Sequence, residues 1–312
     1  MKRILGILLL LSVMMLLVSG CTAGKTASDD KLKIVATMFP QYDFCRELCG
    51  DSAEITLLLP PGVESHSYDP APADIMKIID CDIFIYTGPE MEGWAETILS
   101  GVGDDVTVVD LSKSVELICD QHEHDEHDTH EHDGHHHAYD PHIWTTPYNA
   151  SLMTQAICEA LCSARPENAD YFKANCDIYC SKLMDLDSEL FEISKNAKRN
   201  TIVFGGRFAF AYFADRYGFN WEAAYDSCSH ESEPSVGKVA ELIDLVNEQK
   251  IPVVFYEELV DPAAARVIAA ESGAKILLLH SAHNLSKDEL ESGATYLSIM
   301  ENNIENLREG LF

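Results

Sequence analysis

The middle of the chain reads PENADYFKANCDIYCSKLMDLDSELFEISKNAK, residues 166–198, and neither glycine nor proline interrupts it after Pro166. A proline followed by an acidic residue and an asparagine is typical of a helix start. Apolar and aromatic residues then recur at helical spacing, at Tyr171, Phe172, Ile178, Tyr179, Leu183, Leu186, Leu190 and Ile193. The pattern predicts one rigid helix of about 30 residues, which would be about 45 Å long.

Short apolar runs alternate with helix-like stretches on both sides of this segment. Four runs precede it and four follow it, at 33–38, 54–59, 82–87, 106–111, 201–204, 221–225, 252–256 and 275–279. Strands that alternate with helices are typical of parallel sheets covered by helices. The sequence therefore predicts an α/β fold in which two similar (β/α)4-type lobes with parallel sheets are joined by one long rigid helix.

The same pattern suggests where the lobes begin and end. We expect an N-terminal α/β lobe over 32–148, a helical region over 149–199 that includes the linking helix, and a C-terminal α/β lobe over 200–312. The last stretch, 287–311, carries its apolar residues on one helical stripe and is predicted as a single helix.

The first residues have the features of a secretory leader. A positively charged start precedes an apolar run over 4–18, which at about 15 residues is shorter than the roughly 20 that a membrane-spanning helix needs. The small residues directly before Cys21 resemble a bacterial lipobox, in which that cysteine becomes the lipidated N-terminus. We therefore expect residues 1–20 to be a signal peptide, 21–31 to be a polar tether, and the body to be extracytoplasmic and lipid-anchored to the cell membrane.

The overall charge narrows the class of partner. The chain has 52 acidic and 22 basic residues, which give a net charge of −30. Such a chain repels phosphate backbones, so nucleic acid is excluded as a partner. The charge suits a soluble protein that gathers cations, and the hydrophobic content of 46% is sufficient for packed cores.

The cysteines follow a pattern that charge and hydropathy do not explain. Six of the ten form three pairs spaced i, i+4, namely Cys45/Cys49, Cys158/Cys162 and Cys176/Cys180. On helices this spacing places both members of a pair on one face. No pair has the C-x-x-C spacing that is typical of zinc sites. Bridges between two such helices and simple burial of small side chains both fit the pattern, and the connectivity stays open.

An acidic, histidine-rich tract, DQHEHDEHDTHEHDGHHHA, occupies residues 120–138. Eight of the 13 histidines of the chain lie in it, at His122, His124, His127, His130, His132, His135, His136 and His137. The tract lacks the apolar residues of a core and is predicted to be a loop. Many imidazoles beside carboxylates bind zinc, copper or nickel weakly. We therefore expect an auxiliary metal-collecting loop and look for a tighter site elsewhere.

Other histidines and carboxylates lie where strands of the predicted lobes end. His66 follows the second run, His142 comes directly after the tract, and His280 ends the last run, with His283 nearby. Glu258 follows the run that ends at 256. Because ligands of open α/β sheets bind beyond the carboxyl ends of the strands, these side chains are candidate ligands of one metal ion.

Several motifs in order along the chain carry a resemblance to a known family. They are MFPQYDF (38–44), GVESHSYDPAPAD (62–74), the acidic histidine loop, DPHIW (140–144), FAYFADRYGF (210–219), GAKILLLH (273–280) and TYLSIMENNIENLREGL (295–311). With the lipobox, they resemble the zinc- and manganese-binding solute-receptor lipoproteins of bacterial ABC importers, the cluster A-I or ZnuA/TroA-like family. The resemblance covers essentially the whole mature chain.

The resemblance implies a fold and a ligand set. It implies two α/β lobes joined by a rigid long helix, with the metal in the cleft between the lobes. Two ligands match His66 and His142, and a ligand that ends the last strand, often Asp in the family, matches His280, with His283 as a competitor. The remaining family ligand, His or Glu, stands where this chain has Arg207, which cannot ligate because it is always protonated.

The departure at Arg207 leaves alternatives for the fourth ligand. One solution keeps three histidines and adds water or a carboxylate, from Glu258 or from Glu231 or Glu233. Arg207 would then pair with that carboxylate and position it. The other solution is a different ligand altogether. Asp140 is a candidate to orient a ligating histidine.

Together these observations predict a binding protein rather than an enzyme. We expect an extracytoplasmic monomer that binds Zn²⁺, with Mn²⁺ as the alternative cargo, and delivers it to the membrane permease of an ABC importer. Histidine ligands favour zinc over manganese, which prefers carboxylates. The rival classes are an extracellular zinc hydrolase, for which no H-E-x-x-H motif is present, and a metal-buffering lipoprotein or adhesin whose functional part is the histidine tract.

Overall fold

The computed structural model describes residues 31–119, 139–225 and 234–312. The N-terminal lobe is built on four parallel strands, β1 (Leu32–Ala36), β2 (Ala53–Leu57), β3 (Ile83–Tyr86) and β4 (Thr107–Asp110), in the order β2-β1-β3-β4. The central strand β3 reads IFIY and all four of its residues are buried. Burial on both faces is what a parallel sheet between helices requires. The predicted strands of this lobe are therefore confirmed.

Three helices of the N-terminal lobe connect these strands. They are α1 (Phe39–Cys49), α2 (Pro72–Ile79) and α3 (Ala95–Leu99). The first two have a proline in their first turn, where the missing N–H leaves no hydrogen bond unmade. In the order β2-β1-β3-β4, the connection after β1 leads to one edge of the sheet and the connection after β3 leads to the other edge. This divergence opens a crevice at the carboxyl ends of β1 and β3.

The C-terminal lobe repeats this topology. Its strands are β5 (Thr201–Phe204), β6 (Asn220–Ala223), β7 (Val253–Tyr256) and β8 (Lys275–Leu278), all parallel and in the order β6-β5-β7-β8. The helices α6 (Ala211–Tyr217), α7 (Val236–Gln249) and α8 (Ala263–Ser272) connect them. The expectation of two similar parallel α/β lobes is confirmed.

Two long helices lie between the sheets in sequence. Helix α4 (Pro147–Ala164) is followed, after a short 3-10 turn, by α5 (Ala169–Asn196), which has 28 residues. The buried face of α5 carries most of the predicted stripe, whereas Tyr171 and Ile178 are exposed. The long linking helix is thus confirmed, and its proline-containing start forms the 3-10 turn rather than the first turn of the α-helix.

The end of the chain differs from the expected single helix over 287–311. It contains two helices, α9 (Lys287–Glu291) and α10 (Tyr296–Leu311). Gly293, between them, has φ 78°, a left-handed conformation that ends a helix and suits glycine. The Thr295 hydroxyl then accepts the N–H of Ser298 and starts α10. The prediction of one helix was wrong because its apolar stripe, from Tyr296 to Leu307, lies entirely within α10 and does not support a helix before the break.

Hydrogen bonds join the lobes beneath the crevice. The Trp144 indole donates to the carbonyl of Ser281 at 2.8 Å, and the Tyr296 hydroxyl donates to the carbonyl of Trp144 at 2.6 Å. The Tyr212 hydroxyl donates to the carbonyl of Asp140 at 2.9 Å. Trp144 and Tyr296 are fully buried, so the two lobes meet over a packed, hydrogen-bonded floor.

In the three described ranges, no helix is both long and apolar enough to cross a membrane. The leader, the tether and Cys21 lie outside the described residues.

Glu92 should make folding stability depend on pH. This buried carboxyl accepts hydrogen bonds from the Thr37 hydroxyl and from the N–H groups of Thr87 and Gly88, yet burial raises its pKa to about 7. Because the folded state then holds a proton more tightly than the unfolded chain, the free energy of unfolding falls as pH rises from about 4.5 to 7. The fall should reach about 3 kcal/mol.

The test compares urea unfolding of the metal-free protein at pH 5 and pH 8. Glu92→Gln should remove that part of the pH dependence, because glutamine does not titrate. It should also lower stability at both pH values, because its amide N–H₂ faces hydrogen-bond donors. Glu90→Gln, an exposed neighbour, is the control and should leave the slope unchanged. An identical slope in Glu92→Gln and the unaltered protein would contradict the assignment.

Candidate metal centre

His66 and His142 meet at the crevice. His66 lies in the loop after β2, and His142 directly precedes the 3-10 turn Ile143–Thr145 that leads into α4. Their Nε2 atoms are 3.2 Å apart. Two nitrogens bound tetrahedrally to one zinc ion at about 2.0–2.1 Å would be about 3.3 Å apart. The spacing of the two Nε2 atoms therefore fits two ligands of a common ion.

Asp140 fixes the orientation of the His142 ring. Its Oδ1 lies 3.0 Å from His142 Nδ1 and accepts the backbone N–H of His142 at 2.8 Å. Burial alone would raise the pKa of Asp140, but the charge and the hydrogen bonds of His142 outweigh it and hold that pKa below its ordinary value. With the Nδ1 proton directed at the carboxylate, the Nε2 lone pair of His142 is available for a metal ion.

A second group of polar side chains lies at the carboxyl ends of β7 and β8. Glu258 Oε1 lies 2.7 Å from His283 Nδ1, and the carboxylate also accepts the N–H and the hydroxyl of Ser281. Burial alone would raise the pKa of Glu258, but His280 and His283 hold it well below its ordinary value. Because these contacts engage both oxygens of Glu258, its role here is to orient His283.

One ring nitrogen of His283 is available to bind a metal ion. Its Nε2 is buried and has no hydrogen-bond partner among the described residues, whereas its Nδ1 faces Glu258. Burial alone would lower the pKa of His283, but Glu258, with smaller effects from Glu64 and Glu257, raises it. A carboxylate on one ring nitrogen and a vacant lone pair on the other is the arrangement of metal-binding histidines.

The His280 ring makes different contacts from the His283 ring. Its Nδ1 accepts the N–H of Ala282 at 2.9 Å, and its backbone is bonded on both sides to the side chain of Asn303. Its Nε2 makes no well-oriented hydrogen bond but lies 3.4 Å from Glu289 Oε1. The nearby His280 ring, with hydrogen bonds from Ser286, lowers the pKa of Glu289 to about 2. His280 and His283 therefore differ in what Nδ1 contacts, a backbone N–H in His280 and a carboxylate in His283.

The His66–His142 pair and the group around Glu258 lie at the same junction between the lobes. The rings of His142 and Trp144 are 5.6 Å apart, and Trp144 donates to the carbonyl of Ser281, which contacts His283. Glu64 lies close enough to affect the pKa of His283. Within the described ranges, however, no three His, Cys, Asp or Glu side chains are close enough together to hold one ion. The structure brings together a pair of candidate ligands and not the full set.

Arg207 contacts a different carboxylate from the one expected. Its backbone N–H donates to Glu257 Oε1 at 3.5 Å, and its guanidinium lies over the ring of Tyr225, 5.7 Å from the centroid. Burial, the charge of Glu258 and that of Glu64 raise the pKa of Glu257 to about 7, although Arg207 opposes this. The expected pairing of Arg207 with Glu258 is not observed among the described contacts.

Several expected site residues lie outside the described residues. They are Glu231 and Glu233, the eight histidines of the 120–138 tract, and Cys21. Residues 226–233 directly follow Tyr225, beside Arg207.

The sequence did not indicate Ser281 or Asn303, which fix Glu258 and His280. Neither residue belongs to a motif with metal-binding spacing, so no local signal could have identified them. For Glu289 the sequence contained a weak indication of a structural role. Ser286 and Glu289 form a capping box, which can be recognised from their spacing.

Asp140→Asn should weaken zinc binding by about 10–100-fold. An amide at this position loses the negative charge that holds the His142 Nδ1 proton, so the ring is less firmly oriented. The measurement is competition with a chromogenic zinc chelator. Asp110→Asn is a matched control, because Asp110 likewise accepts the backbone N–H of the residue two positions on, Ser112, but contacts no candidate ligand among the described residues, and it should bind zinc like the unaltered protein. Equal affinity in both variants would contradict the role of Asp140.

Comparisons with known proteins identify relatives of the whole chain. The chain is 33% identical over 310 residues to the high-affinity zinc uptake system protein ZnuA of Bacillus subtilis, covering 97% of each chain. It is also 33% identical over 303 residues to the zinc-binding lipoprotein AdcA of Streptococcus pneumoniae, covering 97% of this chain but only 60% of AdcA. The Zn(II)-bound ZnuA-like domain of that AdcA superposes with a TM-score of 0.76 at 30% identity, covering 90% of this chain and 99% of the domain.

A family model gives the same assignment. It is described as ZnuA, zinc-uptake complex component A, periplasmic, and it matches residues 34–310. The match includes both lobes, the linking helix and every described candidate ligand. The chain belongs to this ZnuA family of solute-binding proteins.

Proposed function

We propose that this protein is an extracytoplasmic receptor that binds Zn²⁺ in the crevice between its lobes and delivers it to an ABC-type importer. The observation that carries the proposal is the pair of imidazoles with Nε2 atoms 3.2 Å apart, one of them oriented by a carboxylate. Imidazole nitrogens suit zinc better than manganese. The relatives named above are zinc-binding and zinc-uptake proteins, which supports the same cargo.

The proposed ligands are His66, His142 and His283. His283 replaces His280 in this set because of what each Nδ1 contacts. Glu258 faces Nδ1 of His283 and leaves the lone pair on its buried Nε2, whereas Nδ1 of His280 accepts the N–H of Ala282, which leaves the ring proton on Nε2. Glu258 then orients His283 instead of binding the metal. The fourth position is left to water or to a carboxylate of the segment after Tyr225, Glu231 or Glu233.

To deliver the ion, the protein needs a partner in the membrane and must stay close to it. The proposed partner is the permease of an ABC importer, which would distinguish the loaded from the empty receptor by its shape. A lipid anchor on Cys21 would keep the protein, acting as a monomer, at the membrane surface, with 21–31 as tether. This function needs binding and release of the ion, and no catalytic step.

The decisive experiment is a competitive titration of the lipid-free protein with zinc and manganese. We expect one tight equivalent of zinc and much weaker binding of manganese, because the proposed ligands are imidazoles. Tighter binding of manganese than of zinc would overturn the choice of cargo. Absence of any tight equivalent of either metal would overturn the receptor function.

Deletion of 120–138 separates the crevice from the histidine tract. The deletion variant should keep the one tight equivalent and lose the additional weak binding, because the proposed ligands His66, His142 and His283 lie outside the deleted residues. Loss of all zinc binding would instead favour a metal-buffering protein whose functional part is the tract.

A further inference from the structure

Tyr212 joins the C-terminal lobe to the segment that carries His142. It lies on α6, belongs to the main hydrophobic core and is 4% exposed. Its hydroxyl accepts the backbone N–H of Ile118 at 3.2 Å and donates to the carbonyl of Asp140 at 2.9 Å. A side chain of one lobe thus bonds to two backbone groups of the other, and packing alone does not require either bond.

The Tyr212 hydroxyl is inserted into an antiparallel pair of backbone segments. Cys119 and Tyr139 form an antiparallel bridge, and the same register places Ile118 opposite Asp140. The two residues of a hydrogen-bonded antiparallel pair normally exchange two N–H···O=C bonds. Here the N–H of Asp140 donates to the carbonyl of Ile118 at 3.0 Å, but the return bond passes through Tyr212. Three hydrogen bonds therefore form a closed ring that includes the hydroxyl.

This ring of hydrogen bonds holds the residue that orients His142. Both backbone polar groups of Asp140 are engaged in it. The carboxylate of Asp140 accepts the backbone N–H of His142 at 2.8 Å and lies 3.0 Å from Nδ1 of its ring. A carboxylate keeps an imidazole in one orientation only if its own position is fixed. A continuous series of contacts therefore leads from Tyr212 through Asp140 to the imidazole.

We propose that Tyr212 is a positioning residue of the zinc site, which fixes Asp140 and through it the Nε2 atom of His142. The proposal rests on the receptor function proposed above and adds a residue that acts without binding the ion. Tyr212 belongs to the lobe that also carries His283. Its hydroxyl therefore helps to hold the ligand from one lobe in register with the ligand from the other.

Tyr212→Phe should lower zinc affinity about tenfold. The variant keeps the aromatic ring in the core but leaves the N–H of Ile118 and the carbonyl of Asp140 without their shared partner. These two groups either stay unsatisfied or approach each other and bond directly, which displaces Asp140. In both cases the carboxylate holds the His142 ring less firmly, so the Nε2 atom is less well placed for zinc.

The affinity is measured by competition with a chromogenic zinc chelator, and Tyr217→Phe is the matched control. Tyr217 lies on the same helix, is 3% exposed and donates its hydroxyl to Asp187 of α5 at 2.6 Å. Both variants should be less stable in urea, but only Tyr212→Phe should bind zinc more weakly. Unchanged affinity in Tyr212→Phe, or an equal loss in the two variants, would overturn the proposal.

A double variant tests whether Tyr212 acts through Asp140. In a protein that already carries Asp140→Asn, adding Tyr212→Phe should weaken zinc binding by about twofold at most, because the carboxylate that Tyr212 positions is no longer present. The same tenfold loss with and without Asp140→Asn would mean that the two residues act independently. That outcome would contradict a role exerted through Asp140.

A spectroscopic test uses the metal-free protein. The Nδ1 proton of His142 faces Asp140, and the residue is 3% exposed, so this proton should give a slowly exchanging NMR signal that is assigned by its loss in His142→Ala. The signal should broaden or disappear in Tyr212→Phe and persist in Tyr217→Phe. An unchanged signal in Tyr212→Phe would refute the positioning role. Because the signal is recorded without metal, this result stays separate from the zinc titration that tests the receptor function.

Discussion

His142→Ala is expected to weaken zinc binding by about 1,000-fold or more. The variant removes the imidazole whose Nε2 lies 3.2 Å from that of His66 and whose ring Asp140 orients. Losing one metal–nitrogen bond of about 4 kcal/mol corresponds to that factor, since each 1.4 kcal/mol is tenfold. His142 is 3% exposed, so water cannot easily take its place without rearrangement of the loop.

The affinity is measured by competition with a fluorescent zinc chelator, and circular dichroism verifies that the variant is folded. His130→Ala is the control, because it removes an imidazole from the 120–138 tract and leaves the crevice intact. It should bind the tight equivalent like the unaltered protein. If His142→Ala retained full affinity, the proposed centre would be wrong.

The fold could be predicted in detail because its signals are local. Each strand is a short apolar run, and each lobe alternates such runs with amphipathic helices. The hydrophobic periodicity and the order of strands and helices along the chain therefore suffice to indicate two parallel sheets. The helix over 169–196 was visible because nothing breaks its stripe. The break near Gly293 was missed although both caps are readable, because the prediction extended the helix of the α10 stripe over preceding residues that carry no such stripe.

The candidate site was predictable only in part. The positions of His66 and His142 follow from strand ends and from the family resemblance. The choice between His280 and His283 depends on what each ring nitrogen contacts, and Glu258, which faces Nδ1 of His283, lies 25 residues from it along the chain. No local pattern encodes such a contact, so side-chain orientation needed the structure.

Arg207 illustrates the same limit. The sequence shows that it cannot ligate, but not what it contacts instead. The structure places its backbone on Glu257 and its guanidinium over Tyr225, the last described residue before the 226–233 segment. A residue that replaces a family ligand thus contacts a carboxylate through its backbone and an aromatic ring through its side chain.

The comparison of His283→Ala with His280→Ala separates the two candidate ligands. His283→Ala should weaken zinc binding by about 100-fold, because it removes a buried Nε2 that has no other partner among the described residues. It also leaves the charge of Glu258 without its nearest cation, so some loss of stability is expected as well.

His280→Ala should change zinc affinity by less than about threefold, although it removes an imidazole from the same loop. Its Nδ1 accepts the N–H of Ala282, which leaves the ring proton on Nε2, 3.4 Å from Glu289 Oε1, so the ion can bind neither nitrogen without changing this arrangement. Both variants are titrated under identical conditions, with unfolding followed in parallel. The opposite order of effects, a large loss in His280→Ala and little in His283→Ala, would return the ligand role to His280. It would also mean that the His280 ring turns toward the crevice when zinc binds.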